Sequence, residues 1–358
     1  MSSNDTKCKG CGGHVEFVPG TSSLKCPSCG LENIIESMVE IGADAEEIDL
    51  ETYLENYVKE QESIEVHELK CGSCAAQLQF DEHTVSGKCP YCDSPFVTSK
   101  SEIRDVMKPQ YILPFAIDDK KATERFRKWV SGLWFAPSDF KKRLQIAEKF
   151  KGMYLPFWTY DCDTQSAYTA EISKTVTHSA MSREEEDDRE ESTTERETVR
   201  GKIQHSFNDV VVSGTKSLPA NILNTLAPWE LEAITHYDER LLKGFCSETY
   251  QIDVKEAFNH AKAMMKKGIE GLIKSKHMGM NIEIKSIKTT YSKPSFKHVS
   301  LPVWVSSFSY DGKLYQFAVN ARTGKVQGQR PVSYMKIAML AAPILIAVGA
   351  FVYFVVSA

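Results

Sequence analysis

The chain has 358 residues, 42% of them hydrophobic and 25% charged, with ten cysteines and a formal net charge of -5. That length has room for two or three domains, and that composition is one that folds. The acidic balance argues against a protein whose main task is to hold nucleic acid, because neutralising phosphate supplies much of such affinity.

Eight of the cysteines form two copies of one unit. The first reads Cys8-Lys9-Gly10-Cys11, then fourteen residues, then Cys26-Pro27-Ser28-Cys29; the second reads Cys71-Gly72-Ser73-Cys74, fourteen residues, then Cys89-Pro90-Tyr91-Cys92. Four thiolates per unit are the ligand set of a closed, tetrahedral zinc site, which leaves no position for a catalytic water. Two zinc ribbons, residues 1–35 and 67–100, are therefore expected, each around one structural Zn2+. Gly12, Gly13 and Gly30 follow the second cysteine of a pair, where the chain must turn sharply; Ala75 and Asp93 take that place in the second unit and fit it less well. His14 to Val18 and Gln77 to Phe80 alternate as short strands, with Pro19-Gly20 and Ser86-Gly87 as turns, which makes one hairpin per ribbon. Units of this size need the metal, which supplies roughly 10–16 kcal/mol in small zinc peptides. Disulfides or a redox pair are the rival reading, but no signal-peptide pattern precedes Cys8 and no βαβ pattern surrounds any pair. Cys162 and Cys246 belong to no ligand pattern.

Residues 36–66 read as an acidic linker. Within it Leu50, Tyr53, Leu54, Tyr57 and Val58 recur with helical period after a candidate N-cap, Asp49, predicting an amphipathic helix of about three turns. Its apolar stripe would pack on a ribbon, on the domain beyond, or on a partner.

Residues 101–333 read as an α+β domain. Tyr111 to Ile117 predicts a strand. A helix opens at Asp118 or Asp119, with Ala122, Phe126, Trp129 and Val130 on one face, and a second runs from near Ser138 past Phe150. Tyr154 to Asp161 is strongly β-prone, with Pro156 placing it at an edge or a bulge. The order then recurs: Tyr250 to Asp253 leads into a helix from Val254 to about Lys274 with Asp253 and Glu256 as a capping box, and Leu301-Pro302-Val303-Trp304-Val305 echoes Leu155-Pro156-Phe157-Trp158-Thr159. A duplicated helix-plus-sheet unit is expected. Gly312 marks a turn, Tyr315 to Val319 a strand, and Asn320 to Gly324 a second turn. Arg183 to Glu197, with nine acidic and three basic residues, reads as a solvated hairpin tip or loop.

Residues 334–358 hold the most decisive segment for location. Ile337 to Val356 is twenty residues without a charge, about 30 Å as a helix and so enough to cross a hydrocarbon core. Arg322, Lys325, Arg330 and Lys336 precede it, which by the positive-inside rule leaves the N-terminal bulk in the cytosol, a reducing compartment suited to zinc thiolates. No phosphate-binding loop, His-Glu-x-x-His, nucleophile elbow or dinucleotide fingerprint occurs, so no enzyme is expected.

These features together resemble a bacterial family of membrane-anchored proteins with ribbons of the transcription factor IIB type. The resemblance rests on the doubled cysteine units, the Leu-Pro-Phe-Trp-Thr-Tyr-Asp run, Tyr237 to Tyr250 around Leu-Lys-Gly-Phe, Val319-Asn320-Ala321-Arg322-Thr323-Gly324, and the terminal span. Such proteins are sometimes labelled primosomal helicases, a label that the missing motor loop argues against. Some relatives sit beside phage-shock protein A homologues and are thought to recruit them to a stressed membrane. The resemblance implies the same eight zinc ligands and no catalytic residues. The expected function is a tail-anchored adaptor at the inner membrane, recruiting or regulating a protein partner, with a phage-shock protein A homologue as the candidate. The alternative is a nucleic-acid-binding regulator, although Lys7, Lys9, Lys25, Lys70 and Lys88 are balanced by Asp5, Glu16, Asp81 and Glu82. A subunit of a membrane complex is a third reading.

Overall fold

A computed structural model describes the whole chain except residues 1–6, 37, 56–62, 80–85, 98–100, 147–148, 179–190, 279 and 358. The first cysteine unit has three antiparallel strands, β1 (Glu16–Phe17), β2 (Ser23–Lys25) and β3 (Glu32–Ile34). The linker supplies β4 (Ile48–Asp49) and α1 (Leu50–Glu55). The second cysteine unit lies among β5 (Ser63–Lys70), β6 (Gln77–Gln79), β7 (Ser86–Lys88) and β8 (Pro95–Val97), followed by β9 (Glu102–Met107). The body continues with β10 (Tyr111–Ile112), α2 (Asp119–Ser131), α3 (Ser138–Ile146), and the long strands β11 (Lys151–His178) and β12 (Glu191–Ser213). Then come α4 (Ala220–Thr225), β13 (Thr235–His236), β14 (Cys246–Glu248), α5 (Val254–Lys276), β15 (Asn281–Tyr310), β16 (Lys313–Asn320), β17 (Val326–Gly328) and α6 (Tyr334–Ser357).

One mixed sheet organises the body, running β13-β10-β15-β11-β14-β6-β5-β9, with β12 added to β11 and β16 to β15. Its centre is covered on both faces, so residues 152–160 of β11 and 296–306 of β15 are buried without a break. Alternation decides which cover each side chain meets. Leu155, Phe157, Val299, Leu301 and Val303 point to the face closed by α4 and the second cysteine unit. Tyr154, Trp158, Tyr160, Phe296 and Trp304 point to the other, closed by α2, α3 and the first ribbon at one end and by α5 at the other. Beyond the core β11, β12 and β15 stay paired as a three-stranded arm. From Tyr160 to Ser173 the three strands run together for on the order of 40 Å at the usual rise per residue. The last turns of α5 lie on it through Ile269 and Ile273.

The two Leu-Pro-x-Trp runs face each other. β11 and β15 are antiparallel with Leu155 opposite Leu301, Tyr154 opposite Pro302 and Pro156 opposite Ser300. Contacts repeat about that point. Pro156 O accepts from Gly214 N at 2.8 Å and Pro302 O from Ala321 N at 3.1 Å. Trp158 Nε1 donates to Ile252 O at 2.9 Å, and Trp304 Nε1 to Ile117 O at 3.0 Å. Ile252 and Ile117 each precede the N-cap of a helix, where Asp253 and Asp118 accept from the amides of Glu256 and Lys121. The short strands cross over as well: β10, before α2, runs parallel to β15, while β14, before α5, runs parallel to β11.

This corrects the edge or bulge expected at Pro156, which lies in a central strand. Its missing N–H faces the seam where β14 ends at Tyr154 and β12 begins at Phe157, so no ladder bond is lost there. Pro302 sits at the matching seam between β10 and β16.

Other expectations shift in extent. The strand at Tyr111 ends at Ile112, although Leu113, Ala116 and Ile117 still donate to Ser300 O and Ala321 O. α3 ends at Ile146 rather than passing Phe150, because Lys151 opens β11 and Phe150 packs on Phe126. α5 runs to Lys276, with Asp253 as N-cap; the Glu256 carboxylate bonds Lys216. In the linker helix Leu50 is buried and Tyr53 meets Phe296 at 4.9 Å, so the stripe packs on the body. Of the acidic run, residues 191–197 belong to β12. Tyr57, Val58, Phe80, Asp5, Asp81, Glu82 and residues 183–190 lie outside the described residues. α6 contains a 22-residue stretch, Tyr334–Val355, whose most apolar 18-residue window has mean hydropathy 2.4 and no cover from protein.

The reciprocal tryptophan bonds predict matched losses. Trp158→Phe and Trp304→Phe each leave a carbonyl, that of buried Ile252 or of half-buried Ile117, without its donor, which costs about 1–3 kcal/mol. Urea titration of the full chain in detergent reads this, and a neutral result at one position alone would show the two contacts are not equivalent.

Candidate metal centres

Four short turns build the two clusters, and they share one geometry. In each Cys-x-x-Cys the residue after the second cysteine donates its amide to the carbonyl of the first: Gly12 to Cys8 at 2.8 Å, and Gly30 to Cys26, Ala75 to Cys71 and Asp93 to Cys89 at 2.9 Å. That residue takes a left-handed φ each time, 71° at Gly12, 77° at Gly30, 60° at Ala75 and 58° at Asp93. Glycine adopts this φ freely, and the second unit reaches it with Ala and Asp at a steric cost. The first cysteine's own amide closes the loop on the residue beyond, as in Cys8 N to Gly13 O at 2.9 Å. Both thiols of a pair thereby point to one side.

All eight predicted ligands are brought together as foreseen, in two groups whose sulfurs lie within 4.8 Å of one another. Cys8 and Cys29 Sγ are 3.5 Å apart and Cys11 and Cys26 3.6 Å; Cys71–Cys92 and Cys74–Cys89 are each 3.6 Å. Zinc–sulfur bonds of about 2.3 Å place tetrahedral sulfurs about 3.8 Å apart, close to these values, whereas a disulfide needs about 2.05 Å. All ten cysteines are free thiols. In every pair the first cysteine is buried and the second lies nearer the surface. Cys162 and Cys246 join neither group, in keeping with their spacing.

Four thiols this close resist ionising together. The amide of Cys29 draws the Cys26 thiol down to about 6. Cys29 is favoured by the Leu31 amide, yet Cys8 and Cys11 drive it up to about 12. Burial opposes the Cys71 thiolate, but the amides of Cys74 and Ser73 bring it down to about 7. Burial, helped by Cys92 and Cys71, pushes Cys74 up to about 12. A bound dication removes this conflict, because each thiolate then faces positive charge, and metal binding releases the protons. The donor set fits zinc, and either centre could hold one ion.

Neither unit stands apart from the body. In the first, Phe17 N donates to Lys243 O and Gly20 N to Phe115 O, at 2.9 and 2.8 Å. Gly244, at φ 89°, lets the chain pass Glu16, and Phe245 stacks on Phe115 at 4.0 Å. In the second, β6 pairs with β14, so the unit extends the main sheet. Tyr91, between two ligands, is fully buried and donates to Glu248 Oε2 at 2.6 Å. Ser217 donates its hydroxyl to Glu248 Oε1, as does Gln251 Nε2 at 3.0 Å. Burial nevertheless lifts the Glu248 carboxyl to about 7, against these donors. Sequence reasoning passed over Tyr91 and Glu248; an aromatic hydroxyl inside Cys-Pro-Tyr-Cys was the available signal.

No family model matches the chain. Among curated proteins it is similar to the uncharacterized protein YdjG of Bacillus subtilis (strain 168), 28% identical over 335 residues that span 93% of this chain and 91% of that protein. No solved structure matches.

Two outcomes follow. Elemental analysis of the purified chain should find two equivalents of metal, falling to one in Cys71→Ser/Cys74→Ser; retention of both would remove the second cluster as a metal centre. Glu248 is protonated in the fold, but ionised when unfolded, between about pH 4.5 and 7, so its share of stability is full below that window and is lost as pH rises through it. Glu248→Gln should therefore match the parent near pH 4.5 and exceed it above pH 7, by on the order of 3 kcal/mol. Denaturation at a series of pH values reads the difference, and parallel curves would refute it.

Proposed function

We propose that the chain is a membrane-anchored adaptor at the inner membrane, its bulk in the cytosol, presenting a zinc-stapled sheet to a protein partner. The observation that carries this reading is α6. Within its 22-residue stretch an 18-residue window of mean hydropathy 2.4 has no protein against it, and lipid is the solvent that suits such a surface. Arg330 and Lys336 on its N-terminal side, and no charged side chain among residues 337–358, support the cytosolic orientation.

Both metal centres hold zinc in this reading and serve as staples, since four thiolates complete a tetrahedron. The repeated Leu-Pro-x-Trp contacts support a body built from two units of common origin, β10 to β12 and β14 to β16. Because the second cluster is continuous with the body through β14, a partner bound near it would sense the sheet as a whole. The arm of β11, β12 and β15 offers a further surface, carrying Glu197 towards its far end. A phage-shock protein A homologue is the candidate partner, by resemblance to the family described above.

The test is gentle affinity purification of the full-length chain from its own membranes, with mass spectrometry and a nuclease-treated control. A membrane-associated protein should be retained after nuclease and lost in Cys71→Ser/Cys74→Ser, while that variant stays in the membrane fraction. Recovery of nucleic-acid machinery alone, lost with nuclease, would replace the adaptor with a nucleic-acid regulator.

A further inference from the structure

The connection between α2 and α3, residues 132–137, departs from the pattern of aromatic burial. Trp158, Trp229 and Trp304 are 1, 3 and 7% exposed, whereas Trp134 is 78% exposed and Phe135 beside it 43%. The loop itself is firmly seated. Leu133 and Ala136 are buried, and Leu133, Trp134 and Ala136 donate their amides within the turn to Val130, Gly132 and Leu133. Two aromatic rings are thus held out by a fixed backbone.

This loop grips the root of α6. Phe135 O accepts from Ser333 N at 2.7 Å, and Ala136 O accepts from Lys336 Nζ at 2.7 Å. Both bonds fall at the first turn of the helix, so the rings lie at the level where the apolar stretch begins. Tyr334 and Met335, in that turn, are 83 and 70% exposed. Residues 127–143 around the loop carry Arg127, Lys128, Lys141, Lys142 and Arg143 against a single acidic residue, Asp139, in a chain whose net charge is -5.

We propose that this loop is a membrane foot: Trp134 and Phe135 enter the headgroup region of the same bilayer that α6 crosses, and fix how the body stands on it. Trp belongs at that depth because its ring is apolar and its N–H still finds a polar partner. The surrounding cations suit anionic headgroups. The inference rests on reading α6 as a membrane span. It adds a second attachment point, so the body is held by a loop and a helix root together and does not swing on a single tether.

The test uses the full-length chain in vesicles of phosphatidylcholine and phosphatidylglycerol, with or without bromine on the acyl chains near the headgroup. Flotation reads the span, and loss of tryptophan emission to bromine reads the foot. Wild type should float and lose emission in brominated vesicles; Trp134→Phe should float equally and lose most of the bromine-sensitive part, while Trp129→Phe keeps it. If all three float and Trp134→Phe is quenched like wild type, Trp134 faces water and the foot is refuted. If wild type does not float, the span fails and the foot falls with it. Trp134 is an exposed residue, so its replacement leaves the core untouched.

Discussion

The antiparallel pairing of β11 with β15 about Leu155 and Leu301 is the constraint on which the rest depends. It aligns two Leu-Pro-x-Trp runs so that each tryptophan reaches across to the carbonyl ahead of the other unit's helix. Ile252 is buried and Ile117 half-buried, and each carbonyl takes its donor from the far run, so the pairing register and the helix positions are linked. Everything else in the body packs outward from that arrangement. α4 and the second cysteine unit close one face, and α2, α3, α5 and the first ribbon close the other.

The cysteine clusters are drawn into the same logic. A lone ribbon has too little apolar surface to fold without metal, but here each has become part of a larger core. Cys8 and Cys26 share a cluster of buried side chains with Phe115 and Trp304, and Cys71 and Cys89 with Leu155 and Leu301. A metal held at either group would therefore be coupled to packing of the body. The linker is bound in as well: Lys297, buried in β15, meets Glu47 at 2.7 Å and Asp209 at 2.9 Å, and β4 pairs with β15 beside it.

The sequence made the two cysteine groups legible because metal ligation leaves a fixed spacing of rare residues. The long apolar helix was equally plain, since twenty uncharged residues in a row are long enough to cross a bilayer. The repeat was visible as an echo of Leu155 to Thr159 in Leu301 to Val305, while its meaning was not: pairing between distant segments leaves no local periodicity. Pro156 shows the same limit. Local rules send proline to an edge, and only the tertiary arrangement supplies a central strand with a gap between two neighbours. Glu248 was hidden for a related reason, as nothing nearby in sequence marks a carboxylate that will be closed over by Tyr91, 157 residues away. Asn320 was singled out within a motif, and its task lay in space: fully buried, it bonds Leu226 O and Pro228 O and so ties the last turn to the far side of the sheet.

The crossing of β10 and β14 between units has a consequence for how the chain is made. When Met153 to Tyr160 leaves the ribosome, the segment that will lie against it, around Leu301, has yet to be synthesised. At about 5–20 residues per second that wait is on the order of 10–30 s. During it a strand destined for burial on both faces can pair with its hairpin neighbour β12 and later with β14, while its long edge against β15 stays open. The first cysteine unit, bonded in the finished fold to Lys243, waits longer still for its seat. Nascent chains of this design carry an unpaired apolar strand edge through that interval, and the strongly acidic stretch of sequence between β11 and β12 travels with it, a charge that keeps like chains apart.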